Sequence, residues 1–128
     1  MADRIRVLLC DDVAMLRELI RWELEEDEDL VVVGEAENGH DSVRLAEELQ
    51  PDVVVLDLAM PGIDGLEAIT QIRAAPDPPL ILVHSGFDAD TMRDRVLALG
   101  AERYLEKRGN LGDVRKAVRE LIEAHRRA

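Results

Sequence analysis

Two hydrophobic patterns alternate along this chain. Short unbroken apolar runs predict buried strands, and apolar residues at helical spacing predict amphipathic helices. The clearest run is Val53 to Leu56, bounded by Pro51 and by Pro61-Gly62 and leading straight into Asp57. Runs of this kind, polar at neither alternate position, mark a strand covered on both faces, as in a parallel sheet. Ile5 to Cys10, apolar apart from Arg6, predicts a first strand ending at Asp11-Asp12. Leu30 to Val33, Leu80 to Val83 and Arg103 to Leu105 predict three more.

Five helices are expected between and after these strands. The first carries Leu16, Leu19, Ile20 and Leu24 on one face, and its acidic tail, Glu23 to Asp29, reads as a solvated face and turn. The second, capped by Asp41 or Ser42 after the breaker Asn38-Gly39, turns Val43, Ala46 and Leu49 inward. Pro51 stops it and biases Gln50 out of the helical region. The third runs from about Asp64 to Arg73 and buries Leu66, Ile69 and Ile72. The fourth runs from about Asp90 to Leu99, with Met92, Val96 and Leu99 inward and Gly100 as its C-cap. The last starts near Leu111 and sets Val114, Ala117, Val118, Leu121, Ile122 and His125 on one stripe. Strand and helix thus alternate five times. That order predicts an α/β domain with a parallel sheet and helices on both faces.

Composition narrows the chemistry. The 128 residues suit one domain, long enough to hold a core without disulfides, and Cys10 is the single cysteine. That usage fits a reducing cytoplasm. The run after the charged N-terminus is too short for a signal sequence, and no apolar stretch reaches the ~18 residues of a membrane span. The net charge of −12 repels polyanions, and only Trp22, Phe87 and Tyr104 are aromatic, which argues against direct nucleic-acid binding. Cys10, Met60, Met92 and His84 read as packed residues, and His40 and His125 as surface or helix-face residues. Arg115, Lys116 and Arg119 either balance acidic neighbours or form a partner surface.

Chemistry gathers at the strand ends. In a parallel sheet all carboxyl ends share one edge, where ligands bind. Asp11, Asp12, Asp57, Ser85 and Lys107 therefore converge. At ~4 Å and an effective dielectric near 20, each close carboxylate pair costs about 4 kcal/mol. Protonation or a hard divalent cation relieves that cost, and an all-oxygen set suits Mg²⁺ or Mn²⁺. A carboxylate nucleophile, a divalent cation, a lysine and a hydroxyl are the parts phosphoryl transfer requires.

Asp11-Asp12, the segment LDLAMPGIDG from Leu56 to Gly65, Ser85, Tyr104 and Lys107, in this order and spacing, resemble the receiver domain of two-component response regulators. The resemblance spans essentially the whole chain and lies nearest the receivers of transcription-factor subfamilies. It implies a flavodoxin-like (βα)5 three-layer sandwich of strand order 2-1-3-4-5, with residues 1–128 a single receiver domain and no output domain. It implies that Asp57 accepts a phosphoryl group from a histidine kinase or phosphotransfer protein. Asp12, Asp57 and the backbone carbonyl of Ala59 would ligate Mg²⁺ (or Mn²⁺), with Asp11 acting through a water. Lys107 would contact the phosphoryl group, and Ser85 would turn inward to bond it. Tyr104 would follow between exposed and buried rotamers, changing the helix 4–strand 5–helix 5 face read by a downstream protein effector or a second copy. The implied protein is cytoplasmic and no enzyme beyond its own phosphorylation and dephosphorylation.

Two departures from the family pattern stand out. Arg108-Gly109 follows Lys107 where proline is common, so no cis bond is expected there. Ala59, two residues after Asp57, cannot hold an attacking water and Phe87, two after Ser85, would exclude it, which implies slow to moderate self-dephosphorylation. A Mg²⁺-dependent aspartyl-phosphate phosphatase would need an acid where Ala59 stands. A nucleotide-binding flavodoxin-like domain would need a Gly-rich loop where Asp11-Asp12-Val13-Ala14 stands. A degenerate receiver acting as a phosphorylation-independent scaffold is the remaining alternative.

Overall fold

The computed structural model describes residues 4–127. Its elements alternate as the hydrophobic pattern predicts: β1 (Ile5–Cys10), α1 (Ala14–Glu25), β2 (Leu30–Ala36), α2 (Gly39–Leu49), β3 (Val53–Leu56), α3 (Gly65–Arg73), β4 (Leu80–Ser85), α4 (Ala89–Leu99), β5 (Arg103–Glu106) and α5 (Gly112–Arg127). The five strands form one sheet of order β2-β1-β3-β4-β5, every neighbouring pair parallel. The flavodoxin-like arrangement is therefore the one observed.

Strand alternation divides the core in two. Leu8, Cys10, Val54, Leu56, Ile81 and Val83 face one side and pack with Ala46, Ala68, Ile69, Ile72 and Val96 of α2, α3 and α4. Val7, Leu9, Val53, Val55 and Leu82 face the other, with Ile20 and Leu24 of α1 and Val114, Ala117, Val118 and Ile122 of α5. Both faces of β3 are covered, and Val53 to Leu56 are all buried. Each such aliphatic side chain contributes roughly 1.5–3 kcal/mol by leaving water, which makes β3 the fixed post on which Asp57 stands.

Several local expectations are corrected. Asn38, not Asp41 or Ser42, caps α2: its side chain accepts from the Asp41 amide at 2.8 Å, so a residue read as a breaker starts the helix. Gln50 does leave the helical region before Pro51, but into the left-handed one, at φ 50°. β2 continues past Gly34 to Ala36, with a register irregularity opposite Val7 and Leu8. Leu19 and Leu99 are exposed rather than inward, whereas His125 lies on the surface as read. Met15, Leu19 and Trp22 leave an apolar stripe open on α1, at 71%, 45% and 75% exposure. The acidic tail of α1 is not merely solvated: Arg115 pairs with Glu23, and Arg119 with Asp27 and Asp29, tying α5 to it. Among the described residues no helix is long and apolar enough to cross a membrane.

His84 is packed, as its place in β4 implied. Burial, helped by the charge of Lys107 and opposed by Asp11, pushes its imidazole down to about 4. The native state therefore keeps His84 neutral at pH values where the unfolded chain, titrating near ~6.5, takes up a proton. The stability this confers is complete above the unfolded value and is lost as pH falls from it towards about 4. Unfolding by urea should show a loss of roughly 2–3 kcal/mol between pH 6.5 and 4.5. Asp57 titrates with the opposite sign, so the His84 share is read as the difference from His84→Asn; equal slopes for the two proteins would refute it.

Candidate functional site

The strand order places the topological switch point between β1 and β3, and the residues following those two strands flank it. Backbone hydrogen bonds carry the sheet one residue further at each site position. The Asp57 amide donates to the Cys10 carbonyl at 2.9 Å, the Asp11 amide to Ala36 at 3.0 Å, and the Lys107 amide to Ser85 at 2.8 Å. These residues thus sit on the sheet's own hydrogen-bond ladder rather than on free loops.

Asp11, Asp12 and Asp57 bring carboxylate oxygens within 4.8 Å of one another. Asp11 and Asp57 are each 4% exposed, while Asp12 opens to solvent. Lys107 reaches between the buried pair, its Nζ 2.8 Å from Asp11 Oδ2 and 3.2 Å from Asp57 Oδ2. The shorter of the two contacts is with Asp11. Backbone amides complete the hold, Val13 donating to Asp11 Oδ1 at 2.9 Å and Ala59 to Asp57 Oδ1 at 3.3 Å.

Burial is the largest influence on Asp57 and raises its carboxyl above the ordinary range, against the pull of Lys107 and the Ala59 amide. Burial works against the charge on Lys107 too, but bonding to Asp11 and the charge of Asp57 outweigh it and raise the ammonium pKa. One cation thus serves two buried carboxylates, with a third beside them. This set carries surplus negative charge and offers only oxygen donors, which fits a hard divalent cation.

Ser85 ends β4 fully buried, with its Oγ accepting from the Phe87 amide at 3.3 Å. Tyr104 lies on β5 opposite Val83, is 8% exposed, and donates its hydroxyl to the Phe87 carbonyl. Phe87 itself is half exposed. Both switch candidates therefore meet at one residue, Phe87, Ser85 at its amide and Tyr104 at its carbonyl, rather than at Asp57. Ala59 is exposed beside the acidic set, and among the described residues there is no cis peptide bond. Cys10 is inert by position: burial first, and Asp11 after it, push its thiol to about 12, against a bond to Ser42.

Sequence reasoning missed four supporting residues. Arg17 donates through NH1 to the Asp11 carbonyl at 2.6 Å and through Nε to Glu35 at 2.9 Å. Glu106 accepts from the Ala89 amide at 2.9 Å, capping α4 from the neighbouring strand, while Asp88, the residue at the cap position, pairs with Arg108. The signal for Arg17 was its spacing of three and seven from Ile20 and Leu24, which sets it beside the buried face.

Comparison with known proteins agrees with this geometry. Residues 7–119 match the family model of the response regulator receiver domain. The chain is 44% identical over 116 residues to the transcriptional regulatory protein LiaR of Bacillus subtilis, covering 90% of this chain and 54% of that protein. It is 38% identical over 123 residues to the response regulator GacA of Pseudomonas aeruginosa, covering 95% and 57%. The chain thus spans about half the length of these curated relatives. Among solved structures, the signal receiver domain of the putative response regulator NarL from Mycobacterium tuberculosis superposes with a TM-score of 0.89 at 30% identity, covering 95% of this chain and 98% of that one. Fold, strand order and sequence agree, and the chain belongs to the response regulator receiver domain family.

Proposed function

We propose that this domain is a phosphorylation switch in which Asp57 accepts a phosphoryl group from a histidine-kinase or phosphotransfer-protein phosphohistidine. The observation that carries the reading is the single lysine bridging two buried carboxylates beside a third. An Asp57 oxygen attacks phosphorus, the bond from phosphorus to the donor imidazole nitrogen breaks, and that nitrogen keeps the electron pair. Asp11, Asp12, Asp57 and the carbonyl of Ala59 would hold Mg²⁺ or Mn²⁺, which supplies charge neutralisation on the transferring oxygens. Lys107 stays anchored on Asp11 when its contact with Asp57 opens, so its ammonium remains in place for a phosphoryl oxygen. Nothing in this scheme acts on a second substrate, so the domain catalyses only its own phosphorylation and dephosphorylation.

The resting hydrogen bonds suggest how the signal leaves the site. A phosphoryl oxygen that draws in the Ser85 hydroxyl takes it from the Phe87 amide. The carbonyl of the same residue holds Tyr104. Loss of one bond therefore loosens the other, and the α4–β5–α5 face shifts towards a second arrangement. A downstream protein or a second copy would read that face. The work is done in the cytoplasm, where phosphohistidine donors and free Mg²⁺ are found.

The test is intact mass after incubation with acetyl phosphate, with Mg²⁺ and with chelator. One phosphoryl adduct that needs the cation is expected. No adduct, under conditions that label another receiver fully, would favour a phosphorylation-independent scaffold.

A further inference from the structure

We infer that Arg17, braced by Glu35, is a positioning residue that sets the shape of the Asp11–Asp12 loop and thereby the affinity for a divalent cation. Its side chain is only 14% exposed, unusual for a residue that normally keeps its charge in water. The guanidinium reaches the site loop and the edge strand at once, through the Asp11 carbonyl at 2.6 Å and Glu35 at 2.9 Å. Glu35 is itself fixed by a second arginine, Arg21, at 3.0 Å. The loop is also pinned at the Asp11 amide, by Ala36 next to Glu35 in β2, at 3.0 Å. The end of β2 and the first turn of α1 thus clamp one residue, Asp11, through the peptide groups on either side of it.

Asp12 follows the clamped carbonyl and is exposed, so its place beside Asp57 is set by the loop backbone. The planar fork meets the carbonyl through NH1 and the carboxylate through Nε, two nitrogens held apart in a fixed geometry, where a lysine offers a single nitrogen. The neighbouring Glu35 neutralises the arginine, so its charge is a weak deterrent to a cation while its geometry holds two of the carboxylates. Geometry and charge therefore predict opposite signs. If charge dominated, removing Arg17 would tighten cation binding; by positioning, removal weakens it.

The inference rests on the reading of Asp11, Asp12 and Asp57 as a cation site. Mn²⁺ titration of the whole domain, followed by the paramagnetic resonance of the free ion, separates the two. Arg17→Gln and Arg17→Lys should each bind Mn²⁺ about ten-fold more weakly, the loss typical of groups that orient metal ligands. Arg21→Gln, which loses a bond to the same Glu35 without touching Asp11, should bind within about two-fold of the parent. Thermal midpoints of the same samples, with Arg17→Lys keeping charge and stem, separate positioning from unfolding. Parent-like or tighter binding by Arg17→Lys, or an equal loss in Arg21→Gln, overturns the inference alone. A parent protein that binds no Mn²⁺ overturns the cation-site reading instead.

Discussion

Replacing Lys107 with Met should lower the stability of the metal-free domain by about 3 kcal/mol, with millimolar Mg²⁺ returning much of the loss. Asp11 and Asp57 would then face each other in a nearly solvent-free site without their shared cation. Breaking a buried pair usually costs roughly 3–5 kcal/mol, and the quarter exposure of Lys107 places this case at the low end. The deficit should grow with pH. Asp57 already titrates above the ordinary carboxylate range, and Lys107 is the largest influence holding it down. Without Lys107 its native pKa rises further, so the folded state favours the protonated acid and loses stability as pH climbs through that range. Urea midpoints at pH 5.5 and 8, with and without Mg²⁺, measure both effects. An unchanged midpoint at pH 8 would mean that the lysine is an ordinary surface residue.

Gly65→Ala should cost about 3 kcal/mol and slow phosphoryl uptake as well, because the added carbon has nowhere to go. A Cβ at Gly65 would lie 2.5 Å from Leu58 Cα and 2.9 Å from its carbonyl oxygen. These are backbone atoms of the residue after Asp57, so no side-chain rotation relieves the clash. Either α3 lifts from the sheet or the Asp57–Leu58 segment moves. Gly86→Ala is the matching control, since its Cβ would meet nothing within 4 Å. Thermal midpoints and acetyl-phosphate labelling rates, measured on both variants, decide it. A Gly65→Ala protein with parental stability and rate would contradict the packing argument.

The elements of this domain were legible because their signals are redundant. β3 declares itself by four apolar residues between prolines, and both its faces are in fact covered. The convergence of Asp11, Asp12, Asp57 and Lys107 followed from one rule, that parallel strands share a carboxyl edge, and needed no tertiary detail. What escaped was set by contacts between distant segments. Asn38 caps α2 because the backbone enters the helix there, which a nearby Asp41 and Ser42 obscured. Leu19 and Leu99 fit a helical stripe yet stay open to solvent, which the spacing alone does not tell. The Arg17–Glu35 and Glu106–Ala89 bonds join residues 18 and 17 apart, across elements whose spacing in sequence says nothing of their meeting. The Ser85–Phe87–Tyr104 connection was likewise invisible, because the resemblance named the two side chains but not the Phe87 backbone between them.

The central claim is that Asp57 forms an acyl phosphate, and borohydride trapping tests it most directly. Acetyl phosphate and Mg²⁺ are added, the protein is reduced with borohydride, and peptides are sequenced by mass. Reduction converts a phosphorylated aspartate to homoserine, so the account predicts homoserine at position 57, none in chelator, and none anywhere in Asp57→Asn. Homoserine at Asp11 or Asp12 in the parent protein, or a phosphoryl adduct that persists in Asp57→Asn, would contradict it.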